Sequence, residues 1–165
     1  MIKIEIDFLK KHPDKINEVS KMIFKEFVEK TGSSKKFEDV VNYISNEKDT
    51  TFPITLVAFE NGECIGTVSI FENDLKIRER YKPWLASLYT KPEYRGRSVG
   101  KALIDKTIEV VKELGFNELY LRTEDASDYY RKRGWVYVET VSDEKYEKID
   151  VFKKVIETAR YIDKV

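Results

Sequence analysis

The sequence is short of the residues on which much protein chemistry depends. Among its 165 residues there is one cysteine, Cys64, and one histidine, His12. A disulfide within the chain is therefore excluded, which fits a reducing compartment and predicts a cytoplasmic protein. A zinc site of the usual type needs three or four Cys/His ligands, so no metal is expected. A Ser-His-Asp or Cys-His hydrolase would have to use His12 as its base. That residue lies in Lys10-Lys11-His12-Pro13, the lead-in to a helix, and is expected to be structural. No window approaches the roughly 20 apolar residues of a membrane span. The first residues alternate apolar and charged, Met1-Ile2-Lys3-Ile4-Glu5-Ile6-Asp7, without the apolar core of a secretory leader. There is no charge excess either: 30 Lys and Arg balance 30 Asp and Glu. A dedicated nucleic-acid binder would carry a basic surplus to neutralise phosphates, so neither nucleic acid nor membrane is an expected partner.

What is present is a hydrophobic fraction of 41%, enough for one domain with a core, expected to span residues 1–165. Ile2, Ile4 and Ile6 share one face of an opening strand. Pro13 suits the first turn of a helix, and Ile16, Val19, Ile23 and Phe27 follow at helical spacing, with Gly32 as the stop. Ser33-Ser34 are expected to cap a second helix containing Phe37, Val40, Val41 and Ile44. Two β-rich runs, Ile54 to Phe59 and Cys64 to Phe71, flank Asn61-Gly62, a strong hairpin signal. Residues 72–83 read as a polar loop. Trp84 to Thr90 is apolar on both faces, as in a central strand covered on both sides. A turn at 91–97 leads into an amphipathic helix with Leu103, Ile104, Thr107, Ile108, Val111 and Leu114 on one face and Gly115 at its end. Leu119 to Leu121 reads as a strand, Ala126 to Arg133 as a short helix closed by Gly134, and Trp135 to Val141 and Ile149 to Val155 as two more strands. The order is β-α-α-β-β-β-α-β-α-β-β, with the last ten residues unassigned. It implies an α/β fold on a mixed, largely antiparallel sheet.

The most informative stretch is Pro92-Glu93-Tyr94-Arg95-Gly96-Arg97-Ser98-Val99-Gly100-Lys101-Ala102. It lies between a buried strand and an amphipathic helix. A helix N-terminus leaves backbone N–H groups unpaired and favours negative charge, and glycines there let an anion approach closely. Arg95, Arg97 and Lys101 add positive charge. Two common phosphate loops do not fit. The P-loop needs four residues between its glycines and a hydroxyl after its lysine, whereas three residues separate Gly96 from Gly100 and Ala102 follows Lys101. The dinucleotide fingerprint Gly-x-Gly-x-x-Gly is absent.

The stretch from Arg95 to Gly100 matches the acetyl-CoA motif Gln/Arg-x-x-Gly-x-Gly/Ala. With the preceding Trp84-Leu85-Ala86-Ser87-Leu88-Tyr89-Thr90, the chain resembles the GCN5-related N-acetyltransferases (GNAT) over nearly its whole length. The resemblance implies a GNAT-like mixed, largely antiparallel sheet of about seven strands flanked by about four helices. It also implies an acyl-CoA-dependent N-acetyltransferase with acetyl-CoA as cosubstrate. The acceptor would be an amine on a small molecule or peptide, and a homodimer is plausible by analogy. Leu88, Tyr89, Thr90, Arg95, Gly96, Arg97, Ser98, Val99, Gly100, Lys101, Thr123 and Tyr130 would contact the cofactor. The family usually has glycine where this chain has Ser98. A serine there must tolerate the close approach of the pyrophosphate, or cap the helix.

In the same family a tyrosine before a Lys-x-Gly-aromatic turn often protonates the departing CoA sulfur. Tyr130-Arg131-Lys132-Arg133-Gly134-Trp135 matches that pattern, so Tyr130 carries over as general acid. The family often has asparagine seven residues earlier, where this chain has Thr123. The end of the strand at Leu88 to Thr90 should splay from Leu121 to Thr123 and receive the pantetheine, with a backbone N–H near Leu88 or Tyr89 facing the oxyanion. Glu72, Asp74, Glu79 and Glu124 are candidate bases for the amine, and a solvated acidic surface would look the same in sequence. The loops at 31–37, 72–83 and 142–148 are expected to line the acceptor pocket. Two other classes stay open: a non-catalytic acyl-CoA sensor, and an RNA binder using Arg131, Lys132 and Arg133.

Overall fold

The computed structural model describes residues 3–45, 51–143, 145 and 147–157. The expected tail beyond residue 157 lies outside them. The element order matches the sequence reading: β1 (Glu5–Phe8), α1 (Ile16–Ile23), α2 (Phe37–Ser45), β2 (Ile54–Glu60), β3 (Glu63–Phe71), β4 (Trp84–Thr90), α3 (Val99–Glu113), β5 (Glu118–Thr123), α4 (Ser127–Lys132), β6 (Val136–Ser142) and β7 (Lys148–Val155). The seven strands form a mixed sheet in the order β1-β2-β3-β4-β5-β7-β6. Its pairs include antiparallel β1 with β2, β2 with β3, β5 with β7 and β6 with β7, while β4 and β5 run parallel with Trp84 opposite Tyr120.

The chain divides into two compact units, Met1–Ile70 with Ser87–Thr107, and Phe71–Ala86 with Ile108–Val165. In the first, the β2–β3 hairpin turns at Asn61 (φ 50°) and Gly62 (φ 79°), the left-handed pair that Asn-Gly supplies at little cost. Helices α1 and α2 cover a core of Leu9, Val19, Ile23, Val28, Val40, Ile44, Val57 and Cys64. After Ile23 the helix widens into a π-helical segment, Phe24–Glu29. Ser33 and Ser34 do not cap α2. The helix begins three residues after Ser34, beyond reach of those hydroxyls, and Asp39 instead accepts the Lys36 N–H at 2.8 Å. Ser33 Oγ accepts the Lys35 N–H at 3.3 Å.

In the second unit β5 and β7 pair from Glu118 opposite Val155 to Thr123 opposite Asp150. Leu75, Trp84, Tyr120 and Val151 form a buried cluster. The core face of α3 differs from the sequence pattern at its end: Val110 is buried, whereas Leu114 is 44% exposed. Leu114 is one residue before Gly115 (φ 89°), where the helix stops, so no neighbouring turn covers it.

Candidate functional site

The loop between β4 and α3 is built from the strand outward. β3 carries Gly66, where a Cβ would lie 2.9 Å from the Tyr89 carbonyl oxygen and 3.3 Å from Leu103 and Val99 side-chain carbons. Only glycine lets β3 and the end of β4 approach this closely, the usual meaning of a glycine inside a strand. Lys91 N–H then donates to the Ile65 carbonyl at 2.9 Å, and Tyr94 N–H to the Lys91 carbonyl at 2.9 Å. Within β4, Ser87 sits at φ 53°. Trp84, Leu85 and Ala86 are buried, and Ser87 to Thr90 are half-buried, so only the first half of β4 is the fully covered strand that its composition suggests.

Gly96 (φ 79°) and Ser98 (φ 65°) are both left-handed. Alternation of this kind turns successive N–H groups toward one concave side, an anion nest. Ser98 therefore occupies a conformation that favours glycine. Helix α3 closes its first α-helical bond from Ala102 N–H to the Ser98 carbonyl at 3.0 Å. The N–H groups of Val99, Gly100 and Lys101 precede that bond and have no intrahelical acceptor. Gly100 is helical without a positive φ, and a Cβ built on it meets no atom within 4 Å. Neither backbone conformation nor packing requires glycine there. Unpaired N–H groups at the positive end of a 15-residue helix favour an anion. Arg95, Arg97, Ser98 and Lys101 are exposed around it, and Val99 is buried beneath.

In the second unit, Tyr130 is half-buried on α4. Its carbonyl accepts the N–H groups of Arg133 (3.0 Å) and Trp135 (3.1 Å), which close the helix onto the Gly134 turn. Its ring packs edge-on against Trp135, with centroids 5.8 Å apart, and near Phe152. Burial pushes the phenol pKa up to about 12, with Tyr129 adding and Arg133 opposing. The hydroxyl thus keeps its proton at neutral pH. Thr123 ends β5 and its hydroxyl accepts the Ala126 N–H at 3.0 Å, shaping the turn into α4.

These elements agree with the profile of the acetyltransferase (GNAT) family, which the chain matches over residues 17–135. The chain belongs to the GNAT family. Over 71 residues it is 30% identical to the N-alpha-acetyltransferase MAK3 of Arabidopsis thaliana; the match takes in 43% of this chain and 36% of that protein. The alignment thus spans about a third of the curated relative's length. A GNAT-family acetyltransferase from Streptococcus pneumoniae superposes with a TM-score of 0.69 at 22% identity, covering 94% of this chain and all of that one. An aminoglycoside 6'-N-acetyltransferase solved with coenzyme A gives a TM-score of 0.73 at 15% identity, with 93% and 97% covered. At these identities the structures establish the GNAT fold.

The acidic residues singled out as candidate bases, Glu72, Asp74, Glu79 and Glu124, all belong to the second unit. Glu72, Glu79 and Glu124 are exposed and Asp74 is half-buried. A carboxylate oxygen of Glu124 lies within 4.8 Å of those of Asp143 and Glu147. Arg122 joins two loops by donating to the Asp74 carbonyl (3.1 Å) and pairing with Asp143 (3.6 Å). Sequence reasoning missed a further network. Glu139 on β6 accepts two bonds from Arg78, at 2.9 and 2.7 Å, and one from the Tyr81 hydroxyl. Tyr81 stacks on Tyr120 with centroids 4.7 Å apart. Arg78 holds the Glu139 carboxyl down at about 2. The loop at 72–83 is thereby latched to β6. No sequence signal links Arg78 to a glutamate 61 positions on. Among the described residues, no helix is long and apolar enough to cross a membrane.

Proposed function

We propose that the protein is an N-acetyltransferase that moves an acetyl group from acetyl-CoA to an amine of a small molecule or peptide. The start of α3 carries the proposal. Gly96 and Ser98 are both left-handed, and the N–H groups of Val99, Gly100 and Lys101 precede the first α-helical bond. Groups so placed are free to converge on one anion. The nest at Gly96 to Lys101 would hold the diphosphate, with Arg95 and Arg97 as its cations. The backbone of Leu88, Tyr89 and Thr90 would receive the pantetheine arm.

The chemistry is an exchange of bonds at the thioester carbon. The amine nitrogen forms a bond to it, and the bond to sulfur breaks. The sulfur leaves as a thiolate and takes the proton of the Tyr130 hydroxyl, which its raised pKa keeps in place until then. A backbone N–H near Leu88 or Tyr89 faces the carbonyl oxygen as it gains charge. The amine first loses its own proton, directly or through water, to one of the carboxylates Glu72, Asp74 and Glu124. Replacing each by its amide and following the acidic limb of the rate profile identifies which.

Purified protein incubated with acetyl-CoA and a panel of spermidine, an aminoglycoside, free amino acids and a lysine peptide should release free thiol with one class of amine. Gly100→Glu, which sets a carboxylate at the mouth of the nest, should bind CoA at least tenfold more weakly while melting no lower than wild type, because glutamate is a better helix former than glycine and its charge suits a helix N-terminus. Unchanged CoA binding by Gly100→Glu would refute the cradle.

A further inference from the structure

The loop with the phosphate nest also carries two cations that its own carboxylates leave uncompensated. Lys101 is ion-paired to Asp105 at 2.8 Å. Arg95 and Arg97 form no ion pair among the described residues. Each lies over a tyrosine ring instead, Arg95 at 5.6 Å from the Tyr89 centroid and Arg97 at 5.5 Å from that of Tyr94. Arg95 has a second tether, its Nε donating to the Thr90 carbonyl at 2.9 Å. For Arg97 the Tyr94 ring is the one interaction made among the described residues.

Tyr94 is itself held at both ends, and by the same strand. Its backbone N–H bonds to the Lys91 carbonyl, and Lys91 N–H bonds to Ile65 of β3. Its hydroxyl donates to the carboxylate of Glu63, the first residue of β3 and 31 positions away in sequence. Glu63 is thereby spent on a phenol rather than on the neighbouring guanidinium. A free arginine side chain has many rotamers, whose loss a ligand must otherwise overcome when it binds. A ring fixed before binding removes part of that cost.

We propose that Glu63 and Tyr94 are positioning residues for Arg97: the carboxylate fixes the phenol, and the ring forms a shelf that sets the guanidinium beside the α3 N-terminus for the diphosphate of CoA. This rests on the cofactor reading above. It adds a residue from the β2–β3 hairpin to the determinants of CoA affinity.

The test is a double-mutant cycle read as CoA dissociation constants by calorimetry, with S-acetylpantetheine, which lacks the diphosphate, as a second ligand. Arg97→Gln should weaken CoA about tenfold, the loss of a charge-assisted contact. Tyr94→Leu should weaken it about two- to fivefold, the worth of an exposed cation–π contact. The double variant should be no weaker than Arg97→Gln alone. Tyr94→Phe and Glu63→Ala, which keep the ring but free it, should fall between wild type and Tyr94→Leu and match each other. S-acetylpantetheine should bind all variants equally. Additive losses in the cycle, or equal weakening of S-acetylpantetheine by Tyr94→Leu, would overturn the shelf while leaving the nest intact. Should Tyr94→Leu not fold, Tyr94→Phe against Arg97→Gln gives the same cycle. A wild type that binds CoA no better than S-acetylpantetheine would overturn the cofactor reading, and the shelf with it.

Discussion

Replacing Ser98 by glycine should make the protein more stable, and the size of the gain can be worked out. Ser98 is held at φ 65°, where its Cβ crowds the following carbonyl. That conformation costs an L-residue roughly 1–2 kcal/mol. Glycine removes the cost but adds about 0.4–1 kcal/mol of freedom to the unfolded chain. The net gain is about 0.5–1 kcal/mol. For a chain of this length that raises Tm by about 1–4 °C. In urea the midpoint should rise with the slope unchanged, since no surface is newly exposed. Ser98→Ala separates conformation from the hydroxyl: it keeps the Cβ and should melt like wild type. Ser98→Val should be less stable than either, because branching at Cβ worsens the same clash. A Ser98→Gly protein no more stable than wild type, or a Ser98→Ala protein that gained as much, would show that the left-handed backbone does not set the cost. A gain in the alanine variant would mean that the hydroxyl, not the backbone, sets the cost. Ser98→Gly should also bind CoA at least as tightly as wild type, by equilibrium titration, because it leaves the N–H directions of the nest in place.

Other substitutions probe other parts of the molecule. Gly66→Ala should cost about 1–3 kcal/mol in a denaturant melt, because its Cβ would meet the Tyr89 backbone, which has no flexible end to yield. Tyr130→Phe should lower kcat about a hundredfold or more while CoA binding stays unchanged, the signature of a lost general acid. With the phenol pKa near 12, that residue should contribute no fall in rate below about pH 10. Glu139→Gln should cost about 1 kcal/mol at pH 7 by breaking a bidentate pair with Arg78. Because the folded carboxyl lies at about 2, below its ordinary 4.5, that contribution is present above pH 4.5 and lost as pH falls toward 2. Melts of the two proteins should therefore converge across that range.

The elements that sequence reading recovered best are those with strong local signals. Asn61-Gly62 turns as its backbone preferences require, and Gly115 ends α3 in the left-handed conformation. The spacing of Val19 and Ile23 reports a burial pattern of period 3.6, which any one helix must obey. The opening strand is recovered only in part: it runs over Glu5–Phe8, so Ile4 precedes it, and Ile2 lies outside the described residues. The reading failed where a local rule had two satisfiers. Ser33-Ser34 is a plausible cap, but Asp39 reaches the Lys36 N–H, and which group wins depends on where the helix first packs. Leu114 fits the apolar stripe but lies just past the last residue of α3 and is exposed.

The same division runs through the candidate site. The stretch Arg95 to Gly100, its place before an amphipathic helix and the Tyr130-to-Trp135 turn were legible because the chemistry of each is local in sequence. Helix N-termini bind anions whatever surrounds them, and a Gly after a short helix closes it in any fold. Only the tertiary structure could decide that Ser98 sits left-handed, that Gly66 lets β3 meet Tyr89, and that Gly100 answers to no packing need. It alone joined Glu63 to Tyr94 and Arg78 to Glu139. Those pairs are 31 and 61 residues apart, and burial and charge pairing at such separations leave no periodicity in the sequence. Local propensity determined the elements and the anion-binding turn; packing between distant segments determined which side chains are held, and so which are prepared to act.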